Sequence, residues 1–349
     1  MTEEKILRVG IIGCGKIAQV RHIPEYAANP RAKLTGFVDF VASRAEEMAA
    51  RYGGKAYASE EELLADPEID AVSVCVANAA HADVTLKALR AGKHVLCEKP
   101  MAVTMEQCRE MVAQAERSGK YLMIGQNQRF APAHVKAKQL LESGVIGTVR
   151  TFKTCFGHDG PDNWSIDSGT SNWFFDKSKS AFGAFADLGV HKTDLICFLL
   201  NSRVAEVQAS ITTLDKLDKE GRPVEVDDNA VCIYRMESGA VGTMTASWSY
   251  YGREDNSTVL YGTEGIMGIY ADPQHSIVVH KKDGGTLYYD TDAIQTNASQ
   301  TNSGIIDAFV DALSRGEEPP VSGREVLASM EAVFAAAEAA RTGTSIKLT

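Results

Sequence analysis

The sequence predicts an α/β protein with a doubly wound parallel sheet, followed by a second α/β domain whose open sheet is mainly antiparallel. Three observations support this fold class. Strand-like and helix-like runs alternate up to about residue 125, a glycine-rich turn follows the first run, and the runs beyond residue 145 are rich in strand formers. We expect two domains, 1–126 and 127–349, which also suits a chain of 349 residues.

The first apolar strand, 6–12, leads into a G-x-G-x-x-A turn and a helix that reaches about Ala28. The first glycine allows the tight turn, the second admits a pyrophosphate, and the alanine lets the helix pack closely on the strand. Amides at the helix N-terminus would bind the phosphates. The pattern predicts a Rossmann dinucleotide-binding domain with contacts from the following residues: Gly13, Gly15, Lys16, Ile17 and Ala18.

The second strand, 34–38, ends at Asp39. A carboxylate there accepts hydrogen bonds from the adenosine ribose hydroxyls, which favours NAD. Arg44 could instead recognise a 2′-phosphate, so NADP stays open, although a solvated helix residue is the interpretation of Arg44 that we favour.

The alternation then continues, which implies parallel strands with right-handed crossovers. Helices are predicted at 42–52, 60–65, 81–91 and 104–118, and strands at 56–57, 71–76, 94–97 and 121–125. Asn78 and His81 follow strand 71–76 at the edge of the sheet where ligands bind. Contact with the cofactor and helix capping are equal alternatives for Asn78.

Strand 94–97 ends in Glu98-Lys99-Pro100, which brings a lysine to the ligand-binding edge. The proline favours an extended Lys99 and permits a cis bond. Taken alone, the segment fits a solvated Glu–Lys pair as well as a site. Glu98, Lys99 and Gln126 complete the predicted cofactor contacts.

The pattern changes near Gly125, where a linker precedes a helix at 132–143. Strands are predicted at 149–156, 205–214, 228–236, 240–251, 257–261, 277–280, 286–289 and 345–348, and helices at 304–315 and 323–341. Turn sequences at 237–239 and 283–285 predict hairpins, so we expect a mainly antiparallel sheet.

A helical run begins at Asp187 and places Asp187 and His191 at positions i and i+4 on one face. A carboxylate beside an imidazole raises its basicity, which suits a general acid/base. The alternative is a helix N-terminus with an early-turn acid and a histidine satisfied at the core edge.

A long loop precedes this run and combines aromatic side chains with Asp, Asn and His. Such loops are usually functional, and this composition suits a polyol, which stacks its CH faces and hydrogen-bonds its hydroxyls. His158, Trp164 and Trp173 are therefore candidate substrate contacts. A loop that contacts another subunit is the alternative.

Composition excludes several classes of function. The net charge of −10 argues against nucleic acid and anionic membranes as partners, and no apolar run approaches a membrane span. The acidic N-terminus does not look like a signal peptide. Seven cysteines without a C-x-x-C pair suit buried thiols in the cytoplasm, and the histidines show no metal-ligand spacing.

Together these segments resemble the Gfo/Idh/MocA oxidoreductases over nearly the whole chain. The resemblance rests on the glycine turn, on Glu98-Lys99-Pro100, on Arg129-Phe130 and on D-x-G-x-H-x-x-D from Asp187. It implies a catalytic group of Lys99, Asp187 and His191, a sugar, inositol or related polyol as substrate with Arg129 among its contacts, and a homodimer or homotetramer formed through the C-terminal sheet.

The chain departs from the family pattern at two places. Ala77 stands where proline is frequent, and Ala181-Phe182-Gly183 stands where three glycines are common. We expect the first change to be harmless and the second to bring a bulky ring near the site.

We therefore predict an NAD(P)-dependent oxidoreductase that transfers a hydride between nicotinamide and a secondary hydroxyl or ketone. Two alternatives stay open at this point. One is an NAD-dependent glycosidase that acts by oxidation and elimination, and the other is a non-catalytic nucleotide-sensing regulator.

Overall fold

The computed structural model of the protein describes residues 6–170, 172–291 and 302–348. The described residues divide into two compact units, which are 6–127 with 302–327 and 128–291 with 328–348.

The first unit contains a parallel sheet, as the alternation of elements predicted. Within the described residues it has six strands in the order β3-β2-β1-β4-β5-β6. They are β1 (Leu7–Ile12), β2 (Ala32–Val38), β3 (Lys55–Ala56), β4 (Ala71–Val74), β5 (His94–Cys97) and β6 (Leu122–Ile124). All neighbours pair in parallel, and the strand order reverses between β1 and β4. Ligands bind outside the carboxyl ends of the strands at such a switch point.

The helices of this sheet follow the predicted positions closely. They are α1 (Ile23–Ala28), α2 (Ala42–Tyr52), α3 (Glu60–Ala65), α4 (His81–Arg90) and α5 (Met105–Ser118). Thr104 caps α5 by accepting a hydrogen bond from the Gln107 amide at 3.2 Å, and Gly119 ends it in the left-handed conformation. Fully buried β1 side chains such as Val9 and Ile11 form the core.

Residues 302–327 belong to the first unit, whereas the sequence boundary assigned them to the second domain. They contain α9 (Ile305–Arg315), to which Asn29 is tied by a 2.7 Å hydrogen bond with Asp307. Ile124 at the end of β6 donates its amide to the Val321 carbonyl at 3.0 Å. The helical period of this segment does not reveal which sheet it packs against, so the sequence could not assign it.

The second unit contains a mixed sheet whose order in the described residues is β14-β13-β12-β11-β7-β10-β9-β8-β15. Its strands are β7 (Val149–Gly157), β8 (Val204–Thr212), β9 (Asn229–Met236), β10 (Val241–Ser247), β11 (Thr258–Gly262), β12 (Gly265–Ile269), β13 (Ile277–Lys281), β14 (Thr286–Tyr289) and β15 (Ile346–Lys347). Within this sheet, β7 and β10 are the only described strands that pair in parallel. The expected mainly antiparallel sheet is confirmed.

Both predicted hairpins are present, with Gly239 and Gly284 at positive φ in their turns. The sequence missed β12, whose two glycines weaken the strand signal. The glycine at its start is required, since a Cβ on Gly265 would lie 2.6 Å from the His280 carbonyl oxygen.

Four further helices complete the described part of the chain, namely α6 (Pro132–Glu142), α7 (Lys177–Ser180), α8 (Val190–Leu200) and α10 (Gly323–Thr342). Helices α6 and α8 pack against each other, and α8 also packs on β7. Across the residues that the structure describes, no helix has the length and apolar character needed to cross a bilayer.

Candidate active site

The glycine turn after β1 has the geometry that a dinucleotide needs. Gly13 lies at φ +92°, and a Cβ on it would come within 2.5 Å of the Cys75 carbonyl oxygen. A Cβ on Gly15 would meet no described atom within 4 Å, so packing inside the chain does not require a glycine there. The open space at Gly15 fits a pyrophosphate held against the backbone.

The helix that follows starts at Lys16 and Ile17 and directs its first amides towards this space. It then forms a π-helical turn over Ala18–His22 before α1 begins. Ala18 is completely buried, as expected for close packing of the helix on the strand. π-Helical turns are frequent at functional sites, because they change the direction of the side chains that follow.

Asp39 is held firmly at the end of β2. Its Oδ2 accepts the Cys14 amide at 2.7 Å, and its Oδ1 accepts the Val41 amide at 2.7 Å. A carboxylate still has lone pairs for two ribose hydroxyls in this arrangement. Arg44 is half-buried on α2; burial raises the pKa of Cys14 to about 12, and the Arg44 charge opposes this effect.

Glu98 is 4% exposed. The interpretation of Glu98 and Lys99 as a solvated pair, which the sequence left open, is therefore wrong. Its Oε1 lies 2.9 Å from His22 Nε2 and 3.2 Å from Arg21 Nη1. Burial by itself would raise the pKa of Glu98, but the His22 hydrogen bond and the Arg21 charge outweigh burial and hold the pKa below its usual value. Glu98 is therefore a buried carboxylate that stays ionised.

The network continues beyond His22 into the sheet. His22 Nδ1 lies 3.1 Å from Ser73 Oγ, and this hydroxyl lies 3.0 Å from Tyr26 Oη. The sequence analysis missed Arg21, His22, Tyr26 and Ser73. A polar His22 and Tyr26 on the inward face of an amphipathic helix were the signal that could have revealed them.

Lys99 is half-buried two residues after the end of β5, and the Lys99–Pro100 bond is cis, as the sequence allowed. The Lys99 amide donates to Glu98 Oε2 at 3.1 Å. His81 Nδ1 lies 2.7 Å from the Pro100 carbonyl oxygen, and His81 Nε2 lies 3.1 Å from the Val76 carbonyl oxygen. Burial lowers the pKa of His81, although these two carbonyl contacts oppose the shift, and the ring anchors the segment beside Lys99.

Two amide side chains lie just beyond β4 and β6, the two strands on either side of β5. Asn78 starts a short 3₁₀ turn after β4 and is buried. Gln126 follows β6 and is 1% exposed, and neither polar atom of its side chain has a hydrogen-bond partner among the described residues. Buried amides of this kind normally have partners. Together with the space at Gly15, Gln126 fits a polar ligand such as a nicotinamide dinucleotide.

In the second unit, Asp187 lies in a second π-helical turn, Phe185–Gly189, which continues directly into α8. His191 is the second residue of α8, so the two residues are about one turn apart on one helical segment. The Trp248 indole donates to Asp187 Oδ2 at 3.1 Å. The His191 ring centroid lies 6.2 Å from that of Phe156.

Asp227 fixes the start of this helical segment. Its two carboxylate oxygens accept the amides of Gly183 at 2.8 Å and Phe185 at 2.7 Å. A Cβ on Gly183 would lie 1.9 Å from the Asp227 carbonyl oxygen, so only glycine fits. Burial raises the pKa of Asp227 to about 6, although the two amides oppose the shift.

Two residues earlier, Ala181 lies at φ +65° and ψ −48°. This conformation is near the classic γ-turn, which is strained for a residue with a Cβ. The glycine that the family pattern has at this position would relieve the strain. Phe182, the bulky departure, packs edge-on against Phe185 at 6.2 Å between ring centroids.

The aromatic loop has a defined structure on the second unit. His158 is buried, and its Nδ1 accepts the Gly160 amide at 2.9 Å. The Trp173 ring stacks on Phe174 at 3.9 Å, and Trp164 meets Phe174 edge-on at 6.2 Å. Both tryptophans are half-buried, so part of each indole is available to a sugar face.

Arg129 forms a buried bidentate ion pair with Asp194. Its Nε and Nη2 donate to the two Asp194 oxygens at 2.6 and 2.7 Å, and Ser329 Oγ also donates to Asp194 at 3.0 Å. The structure thus gives Arg129 a structural role, as the ion-pair partner of Asp194, that the sequence did not predict. Its assignment as a substrate contact stays a prediction.

Family models match both halves of the chain. The model described as an oxidoreductase family with an NAD-binding Rossmann fold matches residues 7–126, and the GFO/IDH/MocA C-terminal domain model matches residues 134–267. Fold and site thus define an NAD-binding oxidoreductase. The chain belongs to the Gfo/Idh/MocA family, as the resemblance indicated.

Several relatives of the chain are named as sugar or inositol enzymes. The chain is 29% identical to 1,5-anhydro-D-fructose reductase of Ensifer adhaerens over 98% of both chains. It is 27% identical to myo-inositol 2-dehydrogenase of Thermotoga maritima, also over 98% of both. It superposes on levoglucosan dehydrogenase in complex with NADH and levoglucosan with a TM-score of 0.86 at 26% identity, covering 98% of this chain and 99% of that one.

Proposed function

We propose that the protein transfers a hydride between NAD and one secondary hydroxyl or ketone carbon of a sugar, an inositol or a related polyol. The observation that carries the proposal is the buried, ion-paired Glu98 beside Lys99, since this arrangement builds a rigid strand end for one lysine. The substrate class is supported by the named relatives and by the half-buried tryptophans at positions 164 and 173.

His191 is the general base in the oxidation direction, because a neutral imidazole can take the hydroxyl proton near pH 7. Asp187 orients this imidazole and stabilises its protonated form. Lys99 hydrogen-bonds the reacting oxygen and offsets the charge that develops on it. A bound NAD⁺ would supply the hydride acceptor in its nicotinamide ring.

For the cofactor, we assign the phosphates to the turn around Gly13 and Gly15 with the amides of Lys16, Ile17 and Ala18. We assign the adenosine ribose to the Asp39 carboxylate, which accepts hydrogen bonds from its hydroxyls, and we place Arg44 beside the ribose. Four further residues complete the set at the strand ends: Asn78, His81, Glu98 and Gln126. For the substrate, we assign stacking to Trp164 and Trp173, and polar contacts to Arg129 and His158.

An absorbance assay at the NADH band tests this function directly. The panel contains myo-inositol, scyllo-inositol, levoglucosan and D-glucose with NAD⁺, and 1,5-anhydro-D-fructose with NADH. We expect stoichiometric cofactor turnover with at least one of these compounds. In a separate incubation with a glycoside, release of free sugar without net NADH would instead favour the oxidation–elimination alternative.

We also propose a cytoplasmic homodimer or homotetramer assembled through the open face of the second sheet. Strand register puts the exposed side chains of Val231, Ile233, Ile266 and Tyr288 on one face. Light scattering after gel filtration should show that Ile233→Glu lowers the oligomer mass. Leu217→Glu, an exposed position away from these strands, is the control; an equal mass for both variants would refute the interface.

The cytoplasmic assignment is supported by the cysteines. All seven lie in the described part of the chain as free thiols.

A further inference from the structure

We infer that Trp248 is a positioning residue for Asp187 and that it links this carboxylate to the aromatic loop that contains Trp164 and Trp173. The inference rests on the proposed function, since Trp248 acts through a residue whose role is proposed there.

The hydrogen bond between Trp248 and Asp187 has a fixed direction, because the surrounding protein holds the indole that donates it. Trp248 directly follows β10, is fully buried and donates its Nε1–H to Asp187 Oδ2 at 3.1 Å. Its backbone is anchored because its amide donates to the Asp228 carbonyl oxygen at 2.8 Å. An indole has a single donor, so a fixed ring fixes the direction of the bond.

Phenylalanine rings hold the indole in place. The Phe175 centroid lies 5.4 Å from that of Trp248 and the Phe174 centroid 6.4 Å, both edge-on. Phe174 is the ring on which Trp173 stacks and which Trp164 meets edge-on. All three tryptophans of the sequence therefore surround Phe174. A sugar that packs on the loop would contact the rings around Phe174. Through Phe174 it would affect the position of the indole that holds Asp187.

The indole donor favours the ionised carboxylate, because a hydrogen bond to a charged form stabilises that form. The proposed function needs Asp187 ionised and fixed so that it can stabilise protonated His191. A hydrogen bond to a charged group corresponds to about 10- to 100-fold in an equilibrium or rate. We therefore expect loss of the indole donor to lower kcat by about that factor and to change KM little.

The test compares Trp248→Phe, which removes the donor and keeps an aromatic ring, with Tyr234→Phe. The control removes another fully buried hydrogen bond of this unit, from Tyr234 to Thr193 Oγ1 at 2.8 Å, which does not involve Asp187. With the panel compound of highest kcat/KM, we expect Trp248→Phe to lower kcat and to move the acid limb of the pH profile to higher pH. Tyr234→Phe should leave the profile in place. Equal profiles in the two variants would overturn the inference.

A double-mutant cycle with Asp187→Asn separates this inference from the proposed function. If Trp248 acts through Asp187, Trp248→Phe has no further effect in the Asp187→Asn background. Additive losses would overturn the positioning role while leaving the role of Asp187 intact. Full activity of Asp187→Asn would overturn the proposed function itself.

A second readout needs no substrate. In a variant that retains only Trp248, with Trp164→Phe and Trp173→Phe, the indole emission reports the charged acceptor at its Nε1–H. Adding Asp187→Asn should shift this emission. Emission that is identical with and without Asp187→Asn would refute the contact.

Discussion

His22 Nε2 lies 2.9 Å from Glu98 Oε1, and this buried contact ties the helix after the glycine turn to the strand end that carries Lys99. The same carboxylate oxygen accepts from Arg21. Two positively polarised groups from one π-helical turn therefore hold the residue that precedes Lys99. This arrangement determines how firmly Lys99 is presented.

Replacing Glu98 by Gln should destabilise the protein, because the buried Arg21 guanidinium loses its counter-charge. Breaking a buried pair costs about 3–5 kcal/mol. The pKa of Glu98 is lowered in the folded state, so its contribution is complete above the ordinary value of 4.5 and is lost as pH falls below it. Urea unfolding should show a large difference from wild type at pH 7 and a smaller one at pH 3.5.

The matched control is Glu46→Gln, which changes an exposed acid on α2. It should leave the free energy of unfolding within about 0.5 kcal/mol of wild type. A Glu98→Gln variant as stable as this control would contradict a stabilising role for the buried network.

Cofactor choice should depend on Asp39. The amides of Cys14 and Val41 hold its carboxylate in place. Asp39→Ser removes this carboxylate, which is the proposed acceptor for the ribose hydroxyls. Because two hydrogen bonds to the ribose are lost, we expect kcat/KM for NAD⁺ to fall at least about tenfold. The ratio of NADP⁺ to NAD⁺ activity should rise.

Arg44→Gln in the Asp39→Ser background then tests the phosphate alternative. Reduced NADP⁺ activity would show that Arg44 recognises the 2′-phosphate. An unchanged cofactor ratio in Asp39→Ser would contradict the assignment of Asp39.

Lys192 should make stability depend on pH above neutrality. Its ammonium is fully buried and donates to the Asn256 carbonyl at 2.9 Å, and burial lowers its pKa to about 7. Between pH 7 and 10.5 the unfolded chain binds a proton that the folded chain lacks, so this group makes folding more favourable as pH rises.

Lys192→Met removes this dependence, and Lys153→Met, at an exposed position of β7, is the control. In urea unfolding, stability should rise from pH 7 to 9.5 more steeply in wild type and in the control than in Lys192→Met. Equal slopes in all three proteins would disprove a deprotonating Lys192.

Ala181→Gly should stabilise the protein, since Ala181 adopts a positive φ that costs a residue with a Cβ about 1 kcal/mol. Ala184→Gly is the matched control, because Ala184 has helical angles of −56° and −32° and should lose stability on substitution. Thermal unfolding measures both shifts. A lower Tm for Ala181→Gly would show that the alanine side chain has a packing role.

The sequence predicted what is encoded locally. The glycine turn, the strand that ends in Asp39, the Glu98-Lys99-Pro100 segment and both hairpins each depend on a few adjacent residues, and each is present. What it missed depends on contacts between distant residues. His22 and Glu98 are 76 positions apart, and Asp187 and Trp248 are 61 apart. No periodicity reports such pairs, so the networks around both motifs became visible only in the folded chain.

The central claim is hydride transfer from a polyol carbon with His191 as the base. It is tested most directly with the best panel substrate deuterated at the reacting carbon, by measuring label in the NADH formed by wild type, His191→Asn and Lys99→Met. We predict one deuterium per NADH in wild type and a loss of kcat on the order of 10²–10⁴ in each variant. Unlabelled NADH, or full turnover in both variants, would contradict the account.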